Sequence, residues 1–353
     1  MTIDQKNLKM KTNLLLTTLF LLYATCSNAT IYRVNNNPEV DADFTNITDA
    51  VAGASNGDTL HIEASNTYYA GASNINKKLT FIGPGVFVTE HDSTQALGKQ
   101  AIITGEMRIY ASDSVTLKGL VFMGQIVINS SSANNVTIEG NYFVANANTD
   151  FYFVISTYDC TNVSIRENWM IHELASPSYL PRLILFTGSA SGILIENNYI
   201  SVSDEDIAIE IRSNASAIVR NNIINGGLVL NNTEIKNNIY LGGDSLNIAV
   251  SCTEDYNMCN GTQFTGPNSI QSVNMSTVFQ NYPITSEEDA ELAGGSPALN
   301  AGDGGTDCGM YGGAKPYRYP NMPEVPSIYE FTGPAEAPPV GTISISFESK
   351  SHN

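Results

Sequence analysis

The stretch "VSIRENWM" (163–170) decides the fold, because the chain repeats it: "VTLKGLVF" (115–122), "VTIEGNYF" (136–143), "ILIENNYI" (193–200), "AIVRNNII" (217–224) and "TEIKNNIY" (233–240) carry the same phrase. The phrases start at 115, 136, 163, 193, 217 and 233, so their spacings are 21, 27, 30, 24 and 16 residues. A fixed phrase with variable intervals describes a solenoid, in which each unit buries its apolar face against its neighbours and insertions fall at the turns.

Aligned, the phrases form columns. Val115, Val136, Val163, Ile193, Ala217 and Thr233 make one, and Leu117, Ile138, Ile165, Ile195, Val219 and Ile235 a second. Their two-residue separation marks strands with these side chains facing inward. A third column runs from Leu120 through Asn141, Asn168, Asn198, Asn222 and Asn238. Asparagine accepts the left-handed backbone of a bend, and its amide both donates and accepts, so these side chains can stack into a hydrogen-bonded ladder. A fourth column, Phe122, Phe143, Met170, Ile200, Ile224 and Tyr240, turns apolar again. Each unit also holds a second strand: "QIVIN" (125–129), "YFVIS" (152–156), "RLILF" (182–186), "IAIEI" (207–211) and "GLVLN" (227–231). Alternation predicts Val127, Val154, Ile184, Ala208, Glu210 and Val229 as their outward residues. A leucine-rich horseshoe would need a leucine consensus and a helix per unit, and the chain has neither.

These coils resemble the right-handed parallel β-helix superfamily, the pectin-lyase-like fold. "FTNITDAVAGASNGDTLHI" (44–62) sets Ile47, Ala50, Val51 and Ala54 on one helical face and is similar to the helix that covers the open end of such proteins. "KKLTFIGPG" (77–85) resembles their first coil. "GSPALNAGDGGTDCGMYGG" (295–313) and "YPNMPEVPSIYEF" (319–331) are similar to the closing segments of uncharacterised secreted bacterial β-helix proteins. The expected fold class is therefore all-β: a right-handed parallel β-helix solenoid over 30–331, with an N-terminal capping helix and about eight coils. Residues 332–353 read as a Pro-rich linker, "TGPAEAPPV", and a short tail. The superfamily hosts lyases, hydrolases, esterases, adhesins and inert spikes, so the resemblance fixes no activity.

The first 29 residues read as an export signal: Lys9 and Lys11 precede the apolar "LLLTTLFLLY" (14–23), and Ser27-Asn28-Ala29 fits a cleavage site. That run is short for a membrane span. The expected location is extracytoplasmic, secreted or at most peripheral to a cell surface; Cys26 in "YATC" leaves a lipid anchor open. Cleavage after Ala29 leaves Cys160, Cys252, Cys259 and Cys308, whose three pairings the sequence does not choose between, although Cys252 and Cys259 could staple a local loop. With 17 basic and 35 acidic residues the formal charge is −18 and no basic cluster exists, which argues against nucleic acid as a partner. A monomer is expected.

Chemistry-bearing residues gather in two coils: Arg182 in one, and Asp204, Glu205, Asp206, Glu210 and Arg212 of "SVSDEDIAIEIRS" (201–213) in the next. "SDEDIAIEI" is similar to the "GDDCIAIKS" stretch of polygalacturonases, with Asp204 and Glu205 at the two carboxylate positions that inverting hydrolysis needs. It departs from that family, because the preceding coil lacks Asn-Thr-Asp and "NGGLVL" (225–230) stands where Gly-His-Gly is expected. A uronate lyase needs a base, and a cation against the sugar carboxylate; the cationic role is open to Arg182 and Arg212, or to calcium held by oxygens of Asp204, Glu205, Asp206 and Glu210. The plainer reading pairs Arg182 with Glu210 across coils as a surface ion pair. His172 stands alone at the start of a long insertion. Trp169, in register with Tyr142, Tyr199, Ile223 and Ile239, serves either as a sugar platform or as packing under a loop. The sequence favours a non-catalytic protein that interacts with carbohydrate or serves a structural role at the surface; the alternative is a polysaccharide-active enzyme, a calcium-assisted uronate lyase before a glycoside hydrolase.

Overall fold

A computed structural model describes residues 29–88, 99–129, 131–145, 153–172, 182–202, 206–242, 246–249, 251–318, 327–332, 342 and 344–350. The export signal, Cys26, Asp204, Glu205 and the insertion 173–181 lie outside them.

The repeat phrases become strands of two parallel sheets meeting at the asparagine corner. Among the described residues the first sheet stacks ten strands, including Asp113–Lys118, Asn134–Glu139, Val163–Arg166, Ile193–Glu196, Ala217–Arg220 and Thr233–Lys236. The second stacks nine, including Trp169–His172 and Tyr199–Val202, and the third seven, including Ile126–Asn129, Phe153–Tyr158, Arg182–Thr187 and Ile207–Ile211. The chain visits the three sheets in turn, and every pairing between successive coils is parallel, which makes a parallel β-helix solenoid. The predicted columns hold: Val136 pairs with Val163, Ile138 with Ile165, Ile193 with Ala217 and Ile195 with Val219, all buried.

The asparagine ladder is built as its chemistry demands. Asn141 Nδ2 donates to Asn168 Oδ1 at 3.1 Å, Asn168 to Asn198 at 3.0 Å, Asn198 to Asn222 at 2.9 Å and Asn222 to Asn238 at 3.0 Å. It extends one coil further, to Asn257 at 3.0 Å. Each ladder residue follows one with positive φ: Gly140, Glu167, Asn197, Asn221, Asn237 and Tyr256. This explains the recurrent Asn-Asn pair, since asparagine is the side chain that best tolerates that backbone after glycine.

At the entrance, the helix Ile47–Gly53 buries Ile47, Ala50 and Val51 as its spacing predicts, with Asn46 accepting from the Asp49 amide at 2.8 Å. Its C-terminal carbonyls accept from Lys77 Nζ, Val51 O and Ala52 O at 2.8 Å and Ala54 O at 2.7 Å, a cation at the negative end of the helix dipole. At the exit, residues 275–317 fold back over the outer face of the second sheet, where Met275, Val278, Phe279, Ala298, Met310 and Tyr317 share one apolar cluster with Trp169, Tyr199, Ile223 and Ile239. The tail strands Ser327–Thr332 and Ser346–Lys350 pair antiparallel with each other. Cys160, Cys252, Cys259 and Cys308 are all free thiols, so Cys252 and Cys259 do not staple their loop.

Two expectations for the third sheet need correction. Ile184 and Ala208 are fully buried in the solenoid interior rather than outward. Leu185, in register with Ser156 and Glu210, takes the outward column instead. In "RLILF" and "IAIEI" the aliphatic run is nearly continuous, so alternation cannot be read from polarity. A register shift between Ile207 and Ile209 lets Ala208 and Ile209 both enter the core.

Candidate functional site

The third-sheet face and its corner with the second sheet carry the candidate residues. Arg182 opens its strand directly after the insertion, one coil before Glu210. Its Nε donates to Glu210 Oε2, while Arg212 Nε donates to Oε1 of the same carboxylate at 2.9 Å. Burial pushes the Glu210 carboxyl up, but the two guanidinium bonds and charges outweigh it and hold the group below its usual range. An ionised carboxylate clasped by two arginines is neither a general acid nor a ready ligand for calcium. Among the described residues no group of three or more His, Cys, Asp or Glu side chains gathers for a metal.

Asp206 takes a different position from Glu210. It is 1% exposed at the corner entering the third sheet, and its Oδ2 lies 3.7 Å from His172 Nδ1, at the end of the second-sheet strand Trp169–His172. Burial lowers the His172 pKa and Asp206 only partly offsets it, so the ring is neutral near pH 7. This pairing escapes sequence reasoning because 34 positions separate the two residues, and only the register of Trp169–His172 with Tyr199–Val202 brings His172 toward Asp206. Trp169 is 2% exposed, stacked on Tyr199 with ring centroids 4.0 Å apart and edge-on to Phe87 at 5.9 Å. It is packing, not a sugar platform.

Further along the third-sheet face a second cluster repeats the logic. Glu106 accepts from Arg108 Nε at 2.5 Å and Nη2 at 2.9 Å, and from Gln125 Nε2 at 2.8 Å. Alternating charges also stripe the first sheet, with Lys118 Nζ bonding Glu139 at 2.8 Å, Arg166 bonding Glu139, and Arg220 bonding Glu196 at 2.8 Å. Such pairs of solvent-facing groups neutralise a solenoid wall and contribute little individually.

A role for the first asparagine of each Asn-Asn pair was not legible in the repeat. These side chains face the exit segment: Asn197 Nδ2 donates to Met310 O and Gly312 O, both at 2.8 Å, Asn221 Nδ2 to Asp307 O at 3.3 Å, and Asn237 Oδ1 accepts from the Asp303 amide at 2.9 Å. The exit segment therefore runs back along the coils, one asparagine at a time. Glu167 holds the equivalent position a coil earlier, where burial, followed by the charge of Glu139, raises its carboxyl to about 7.

No helix among the described residues is long and apolar enough to cross a membrane. No family model matches the chain and no curated protein matches it. Among solved structures the chain is similar to the crystal structure of pectate lyase Pel9A, at 12% identity over 82% of this chain and 98% of that one, with a TM-score of 0.40, a distance at which the likeness carries no argument about activity.

Proposed function

We propose that this is an exported, monomeric solenoid that binds carbohydrate on its third-sheet face without transforming it. The observation that carries the reading is Glu210: both of its carboxylate oxygens are bonded to arginines, so this carboxylate is held ionised and engaged, with neither oxygen turned to a reacting sugar. An active site aimed at a sugar would keep an acid or base of matched pKa turned toward the reacting atoms. Export rests on the first 29 residues, with their basic start, apolar run and Ser27-Asn28-Ala29.

The buried His172–Asp206 pair, 3.7 Å apart, favours a second reading, an enzyme acting on an extracellular polysaccharide, in which a neutral imidazole beside a carboxylate serves as base. Product formation separates the two. The purified mature chain is incubated with uronic-acid and neutral polysaccharides, with and without calcium, following ultraviolet absorbance for unsaturated sugars and reducing ends for hydrolysis. The binding reading expects no turnover. Turnover abolished by changing Arg182, Asp206 and Glu210 together to Ala overturns it, and calcium dependence would then identify a lyase.

A further inference from the structure

We infer that Tyr110 and Tyr158 form a ledge on which an uncharged, extended polysaccharide lies along the solenoid axis. The inference rests on the carbohydrate-binding reading and names the ligand class and the surface that takes it.

Tyr110 and Tyr158 are 51% and 54% exposed, in the same range as Tyr68 and Phe347, and what sets the two apart is their shared position in the sheet. Strand register places both in one column. Ile109 pairs with Ile128 and Thr157 with Ile128, all facing inward, so the next residue of each coil faces out: Tyr110, then Asn129, then Tyr158, the last two paired directly. The Tyr110 amide donates to Ile75 O at 2.9 Å, which keeps this position in the sheet beyond the strand end. Thr187, in register with Tyr158, continues the column, and Arg212 follows Ile211, the partner of Phe186.

Two coils separate the rings. Parallel strands step by about 4.8 Å, so the tyrosines stand roughly 9.5 Å apart. That is too far for the rings to stack on each other, and close to the length of two β-linked pyranose units in an extended chain. Alternate sugars can therefore each lie on a ring, presenting their C–H faces, while the intermediate sugar sits over the exposed Asn129 amide, which donates to and accepts from hydroxyls.

Charge selects the class. Among the described residues the arginines on this face, Arg108, Arg182 and Arg212, are three guanidinium groups against two carboxylates, and each already engages Glu106 or Glu210 rather than standing open to a uronate. The chain carries a formal charge of −18, which repels a polyanion at long range. A protein partner would seek a contiguous apolar patch, whereas these rings are isolated from each other by a polar residue.

The test is affinity electrophoresis and calorimetric titration of the whole protein with mannan, xylan and mixed-linkage β-glucan, with polygalacturonate as the charged comparison, at low and high ionic strength. The expected result is binding to a neutral glycan that salt does not weaken. Tyr110→Ala and Tyr158→Ala each reduce it roughly ten-fold, the Phe pair retains it, and all variants melt like the parent because both rings are at the surface. Asn129→Tyr combined with Tyr158→Ala, which moves one ring a single coil closer, does not restore it. Unchanged binding by the double Ala variant overturns the ledge and leaves carbohydrate binding standing. Binding confined to polygalacturonate and lost with salt overturns the neutral class alone. Failure to bind any of these glycans overturns the ledge and the carbohydrate reading together.

Discussion

Asn198 Oδ1 accepts both the backbone amide and the Nδ2 of Asn168, each at 3.0 Å, while its own Nδ2 donates to Ile165 O, Glu196 O and Asn222 Oδ1, each at 2.9 Å. The side chain is fully buried, so water cannot replace any of these partners. Asn198→Ala is expected to orphan donors and acceptors on both neighbouring coils and to cost on the order of 3–5 kcal/mol, read as a lowered denaturant midpoint. Asn129→Ala, at an exposed position outside the ladder, leaves the midpoint in place.

Glu167 gives stability a pH dependence of one sign. Its carboxyl is raised to about 7 in the folded chain, chiefly by burial, against about 4.3 when unfolded. The folded state thus holds the proton more tightly, and the stability this contributes is complete below about 4.3 and lost as pH rises through 7. Glu167→Gln is expected to match the parent below pH 4 and to exceed it by about 1–3 kcal/mol at pH 8, in melting curves taken across that range.

Glu210 acts in the opposite direction. Its folded pKa is depressed, so its stabilising contribution is present above the unfolded value of about 4.3 and disappears as pH falls through the folded one. Glu210→Gln is expected to destabilise by on the order of 1–2 kcal/mol at pH 7 and to reduce the steepness of acid unfolding. The check is the difference between the two acid-unfolding curves, which closes at low pH.

Trp169 belongs to the seam between the second sheet and the exit segment. Trp169→Ala is expected to lower stability by roughly 3–5 kcal/mol through the cavity it leaves. Glycan binding by the folded fraction is expected to stay at the parent level, measured by the same electrophoresis used for the tyrosines.

The solenoid was legible because its signal repeats: period-two columns and the ladder asparagines recur in coil after coil, and each occurrence supports the others. The last coil escaped, since in "TEDYNMC" (253–259) the position in register with Ile235 is Glu254 and only Asn257 keeps the pattern. The candidate site was legible in part. Arg182 and Glu210 meet across coils because both lie in aligned strands, whereas His172 reaches Asp206 around a corner whose insertions differ in length from coil to coil, and no repeat records that geometry. The outward column of the third sheet was misread at Ile184 and Ala208 for want of polar alternation. The exposed tyrosines drew no notice in the sequence, because a column is visible only once the register is known.

The exit segment works as a tally of coils. Its residues 303, 307, 310 and 312 bond the side chains of Asn237, Asn221 and Asn197 in descending order, and the Gly309 amide donates back to Asn237 O at 2.8 Å, so the returning chain is fixed to three successive coils. Adding or removing a coil between Asn197 and Asn237 would slide these points out of step. Evolution and the protein engineer thus share one constraint: the coils from Asn197 to Asn237 are held to a fixed number by the chain that returns along them.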